Sequence, residues 1–167
     1  MANASLQISV NGDTNVTEII GLAPSDELIL GVYSDTLITF DSGNDWAGWG
    51  LMVDSSLAHI SGGYSLWPDE PGLTIYDGLD MVGLPHPAGY DGVGGTIAIT
   101  GGGVGPGYLF DVIFFHRLSI MPMVITLFGT TDFVEMTYLD SFYVHLYPEP
   151  MTIGLLALGT LFLRRRK

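Results

Sequence analysis

Cysteine is absent from the 167 residues, which excludes disulfide staples, thiol nucleophiles and thiolate metal sites together. Positive charge is nearly absent as well. Only five Lys and Arg occur, and four of them, Arg164, Arg165, Arg166 and Lys167, are the last residues. The first 147 residues hold 17 of the 18 acids against one base, Arg117, a net charge near −16. A body of that sign repels phosphates, because nucleic-acid binding requires Lys or Arg to displace counterions. No nucleic-acid partner is expected. Amphipathic helical periodicity is also missing from the body, and no repeat of fixed period points to a propeller or β-helix.

What is present is apolar and turn-rich. Hydrophobic residues make up 47% of the chain, enough burial to offset chain entropy despite the like charge. From Leu6 to Leu146, short runs of β-branched and aromatic residues alternate with Gly, Asp, Asn and Pro clusters. "SLQISV" puts Leu6, Ile8 and Val10 on one face, and Asn11-Gly12 is a favoured hairpin turn after which "VTEII" is expected to run back. "ELILGVYSD", "TLITF" and "WAGWGLMVD" supply further strands, while prolines and glycines between Ser55 and Gly95 predict long loops with short strands. "YLFDVIFFH" is unbroken enough to predict a strand buried on both sides. "MVITLFG", "FVEMTYL" and "SFYVHLY" follow. Nine to eleven strands without a helix predict an all-β fold, a two-layer antiparallel β-sandwich over residues 1–146, with a jelly roll as the neighbouring arrangement.

Residues 147–167 are of another kind. Met151–Leu163 is uncharged throughout and includes Leu155, Leu156, Leu158, Leu161, Phe162 and Leu163. As a short C-terminal hydrophobic helix its thirteen residues would span about 20 Å, less than a bilayer core of about 30 Å. Pro150 suits a first helical turn, and Glu149 suits the positive end of the helix dipole. At roughly −0.5 kcal/mol for each strongly apolar side chain, insertion into lipid is favourable but marginal. The cations behind it keep the tail end in the cytoplasm and the acidic body outside. The small-x-small triplet Ala2-Asn3-Ala4 fits a signal-peptidase site, so a leader upstream of Met1 is expected.

Pro148-Glu149-Pro150, the apolar run and the Arg164–Lys167 cations, in that order, resemble the PEP-CTERM sorting signal of Gram-negative and planctomycete-type bacteria. That resemblance implies an exosortase as the partner that removes the tail, and an exported surface or matrix protein associated with exopolysaccharide. It covers about 20 residues and implies nothing about the body. Within the body, "ISVNGDTNVTEI", "GYLFDVIFFH" and "MVITLFG" are similar in order to cohesin-like sandwiches, with the middle third departing from the pattern.

Candidate sites in the body are sparse. Asp41, Asn44 and Asp45 surround Gly43 and offer oxygen ligands for Ca²⁺, although Asp and Asn also occupy turns for backbone reasons. Trp67, Tyr64 and Tyr76 lie in an aromatic-rich stretch that could stack sugar rings, making a carbohydrate-binding module the alternative function; core packing is the competing role for such aromatics. His59, His86, His116 and His145 have no local i,i+2 or i,i+4 pairing of the kind that makes metal sites. No serine sits in a nucleophile elbow, and "GGGVGPG" is followed by neither a Lys nor a helix. Asp69-Glu70 is an acid pair in a proline-rich loop, a weak basis for glycoside hydrolysis. The expected protein is therefore not an enzyme, binds no catalytic cofactor, and meets polysaccharide or another surface protein through its body.

Overall fold

A computed structural model describes residues 6–39, 47–65, 73–79, 86–97, 103–104 and 106–145. The strands are β1 (Leu6–Val10), β2 (Glu18–Ile20), β3 (Glu27–Ser34), β4 (Ile38–Thr39), β5 (Gly48–Asp54), β6 (Ala58–Ser65), β7 (Leu73–Asp77), β8 (Tyr90–Ile97), β9 (Gly103–Val104), β10 (Gly107–Arg117), β11 (Met123–Thr130) and β12 (Thr137–His145). They form a four-stranded sheet, β1-β3-β10-β6, and a six-stranded sheet, β2-β12-β11-β5-β8-β7, with β4 and β9 as a small separate pair.

The expected two-layer sandwich is what these sheets make. Period-two alternation sends Leu28, Leu30 and Val32 of β3, and Ile113 and Phe115 of β10, inward from one sheet. Trp49, Leu51 and Val53 of β5 and Ile125 and Leu127 of β11 meet them from the other. Trp49 and Phe110 touch across the layers at a ring-centroid distance of 4.5 Å. Each large apolar side chain so enclosed contributes about 1.5–3 kcal/mol relative to exposure.

Four local expectations are corrected. Asn11 (φ 51°) and Gly12 (φ 85°) do form a tight turn, closed by reciprocal Val10–Asp13 backbone bonds, yet "VTEII" does not run back beside β1. Its strand, β2, crosses to the other sheet and pairs with β12 in parallel, so the sheets are not wholly antiparallel. β10 is buried on one side only: Phe114 and His116 alternate with enclosed Ile113, Phe115 and Arg117, and register shifts between Tyr108 and Ile113 let adjacent Leu109 and Phe110 both turn inward. The middle third contains two eight-residue strands, β6 and β8, rather than short ones. Their glycines weaken intrinsic β propensity, but strand pairing and burial override it.

A second, smaller apolar cluster sits on the outer side of the six-stranded sheet, where Leu79 and Phe128 are enclosed with Met52 and Phe133 against them. It requires Gly50: a Cβ there would lie 2.4 Å from the Phe128 ring. Among the described residues no helix is long and apolar enough to cross a membrane. The expected C-terminal helix and everything else from residue 146 onward lie outside the described residues.

Candidate functional site

Arg117, the single base of the body, ends β10 and is fully enclosed. Burial of a cation is tolerable only if its donors are met. Its Nε donates to the Ser119 carbonyl at 2.5 Å, Nη2 to Met121 at 3.0 Å, and Nη1 to Leu22 at 2.5 Å and, more weakly, to His145 at 3.5 Å. Its own backbone accepts from Ser25 N and donates to the Asp26 carbonyl. One guanidinium thus ties together the loop after β2, the loop after β10 and the end of β12. Desolvation lowers its pKa below the ordinary guanidinium value, and the nearby Asp26 charge opposes that shift. The pole it closes is where the chain leaves the sandwich toward residues 146–167.

The outer side of the four-stranded sheet carries a shallow groove of about 340 Å³ lined by Asn11, Gly12, Ile29, Tyr108, Asp111 and Val112. Tyr108 and Tyr33 meet edge to face at 5.3 Å, and the Tyr108 hydroxyl donates to the Gly12 carbonyl at 2.7 Å, fixing one wall. Val112 holds φ at 54°, an unfavourable region for a β-branched residue, where Asp111 Oδ1 accepts from Val112 N at 2.8 Å. Asn11 Oδ1 accepts from Ile29 N at 3.2 Å. An aromatic face, an amide and a carboxylate therefore converge beside apolar Ile29, a combination suited to a small polyhydroxyl ligand.

Cross-strand register assembles histidines that local spacing leaves apart. His116 lies opposite both Glu27 and His59 in the β3-β10-β6 ladder. His116 Nδ1 is 3.4 Å from Glu27, while His59 Nδ1 bonds Asp91, which also accepts from Ile60 N at 3.1 Å. His145 pairs with Glu18 at 3.6 Å. Among the described residues no three His, Asp or Glu side chains are grouped to hold a metal ion.

Most residues singled out from sequence lie elsewhere. Asp41, Asn44, Asp45, Trp67, Pro148, Glu149, Pro150 and the tail from Leu155 to Lys167 are outside the described residues. Tyr64 falls in β6, opposite Asp111 of β10 in the ladder, and Tyr76, half-buried, falls in β7 of the other sheet. Trp49 is core. The groove residues and Arg117 went unrecognised in sequence. The isolated base in an acidic body was the available signal for Arg117, and the Asp111-Val112 pair inside an apolar run was the one for the bulge.

No protein-family model matches the chain, and no curated protein does. Among solved structures, the C-terminal domain of the Streptococcus pyogenes antigen I/II-family protein AspA is similar, with a TM-score of 0.50 at 6% identity over 86% of this chain and 46% of that one. A cohesin module from a Clostridium perfringens family 33 glycoside hydrolase gives 0.44 at 8% identity, over 86% of this chain and 98% of the module. The BspA_C wild-type chain gives 0.47 at 8% identity, over 85% of this chain and 50% of that one. At such identities the likeness is one of fold. The chain spans about half the length of the AspA and BspA_C chains.

Proposed function

We propose that this chain is an exported, non-catalytic surface or matrix protein, delivered to the envelope by a PEP-CTERM-type tail that an exosortase processes. The observation that carries the reading is the order of the last twenty residues: Pro148-Glu149-Pro150, then an uncharged run, then Arg164, Arg165, Arg166 and Lys167. A marginally apolar segment with terminal cations is anchored weakly enough to be removed and is oriented with the body outside. Sandwich architecture of the kind found in an antigen I/II-family protein is compatible with a binding or structural role. Glycoside hydrolysis takes two carboxylates flanking the bond, and among the described residues the groove lining includes one, Asp111. The test is fractionation of a tagged body in an exosortase-bearing host, with and without residues 148–167. Full-length protein should pass through the membrane fraction to the surface. Identical distribution of the truncated form would end the sorting reading.

Polysaccharide is the ligand we propose for the body, on the specific observation that Tyr108, Asn11 and Asp111 converge in the groove. Retention on a glycan array, lost on Tyr108→Ala with the melting temperature recorded alongside, is the expected result. Retention that survives Tyr108→Ala in folded protein would move the site elsewhere.

A further inference from the structure

We infer that the Arg117 pole is a lipid-contacting foot: the loop Leu118–Pro122, with Ile20 beside it, rests in the headgroup region of the membrane that holds the tail. The inference rests on the reading of the tail as membrane-directed and adds to it how the body stands on the bilayer.

The loop is built to display apolar side chains. Arg117 binds the Ser119 and Met121 carbonyls, and Leu118 N and Ser119 N both donate to the Leu57 carbonyl, so the backbone is held while the side chains point away. Leu118 is 51% exposed, Ile120 60% and Met121 57%. Ile20, opposite His145 at the end of β2, is 50% exposed. Exposed apolar side chains clustered at one place call for a contact.

The other pole also exposes apolar side chains, Leu37, Val134 and Tyr138, but each lies within two positions of an acid, Asp35, Asp132 or Asp140. Leu118–Pro122 has no charged residue, in a body whose net charge is near −16.

Chain length selects lipid as the occupant. β12 ends at His145, whose carbonyl receives Gly21 N and, weakly, Arg117 Nη1, and the uncharged run starts at Met151. Five intervening residues, two of them proline, span at most about 18 Å when extended. A tail inserted in the bilayer therefore holds this pole within about 18 Å of the hydrocarbon, close enough for the apolar loop to reach the headgroups. A single weak apolar anchor binds membranes only marginally, and a second contact is what makes attachment stable. Asp26, Glu27 and Asp54 on the neighbouring turns and strand ends would remain in headgroup water.

Because the chain has no cysteine, single Cys variants of the full-length protein can each carry a nitrobenzoxadiazole label: Ile120→Cys at the foot, Leu158→Cys in the tail, Val134→Cys at the far pole. In phosphatidylcholine vesicles, the labels at 120 and 158 should shift to the blue and be quenched by doxyl-labelled lipid, while the label at 134 should not respond. Adding Ile120→Glu and Met121→Glu to the tail-labelled variant should lower vesicle partitioning roughly tenfold. A lipid-quenched tail with a water-like label at 120 would overturn the foot and leave the tail reading intact. No quenching at either position would remove both. A label at 120 already blue-shifted in vesicle-free buffer would show the loop covered by protein, the chain's own tail or a second copy, and would also overturn it.

Discussion

The Asp140 carboxylate of β12 accepts a hydrogen bond from Ile8 N of β1 at 2.8 Å, so a residue of the six-stranded sheet covers the open edge of the four-stranded one. Asp91 of β8 does the same for Ile60 N on the opposite edge strand, β6, at 3.1 Å. Unpaired edge N–H groups are templates for intermolecular pairing, and a carboxylate both satisfies and repels there. Asp140→Ala should cost about 1.5–3 kcal/mol, the range for a charge-assisted bond. Asp140→Asn, which keeps an acceptor, should lose less. The double variant Asp91→Ala/Asp140→Ala should aggregate on mild heating, measured by light scattering beside the melting curve. A monodisperse double variant would mean the edges are protected by something else.

Arg117 should be the least replaceable residue of the body. Its planar fork meets carbonyls on the loops after β2 and β10 and, more weakly, at the end of β12, and a Lys ammonium cannot reach that arrangement from one stem. Arg117→Lys is expected to cost about 3 kcal/mol or more through unmet buried acceptors. Hydrogen exchange should quicken first at Gly21 and Ser25, whose amides bond the His145 and Arg117 carbonyls. Uniform quickening across the sandwich would instead place the loss in global stability.

Gly50→Ala tests the outer apolar cluster. The added methyl would stand 2.4 Å from one Phe128 ring carbon and 2.7 Å from another, with Leu79 at 3.2 Å, so the ring must move off its site. Overpacking of this kind costs about 1–3 kcal/mol. Combining it with Phe128→Leu should recover part of the loss, a coupling that chemical denaturation of the four members of the cycle would measure.

The layered β-architecture was legible because period-two alternation is strong in β1 and β3, where one face must be buried, and runs of β-branched and aromatic residues between turn clusters mark β5 and β11. Pairing order was not. β2 reads as the second arm of a hairpin because Asn11-Gly12 is a hairpin turn, and the turn does form, but only the Val10–Asp13 bridge follows it before the chain crosses to the other layer. The groove was hidden for a related reason: Asn11, Ile29 and Tyr108 come from three strands or turns, and only register brings them together. His59 and His116 were likewise separated by 57 positions in sequence and adjacent in the sheet. Arg117 could be singled out by its rarity, but the carbonyls it serves could not, since backbone acceptors carry no sequence signature.

Asp132 links acidity to the far pole. Its Oδ1 accepts from Val134 N at 2.9 Å and Glu135 N at 3.1 Å, and Thr130 Oγ1 lies 3.4 Å away. The Val134 backbone bond, then that of Glu135, holds its pKa below the ordinary 3.8. A folded pKa depressed below the unfolded one contributes stability that is complete above the unfolded value and disappears as pH falls through the folded one. The turn 131–135 should therefore be intact at neutral pH and loosen only below about pH 4. Amide chemical shifts of Val134 and Glu135, followed through acid titration, should move together with a midpoint below the ordinary carboxylate value. Asp132→Asn should remove that titration while leaving the Ile60 and Ile8 amides unchanged; a midpoint at or above the ordinary value would show that these bonds do not favour the ionised form.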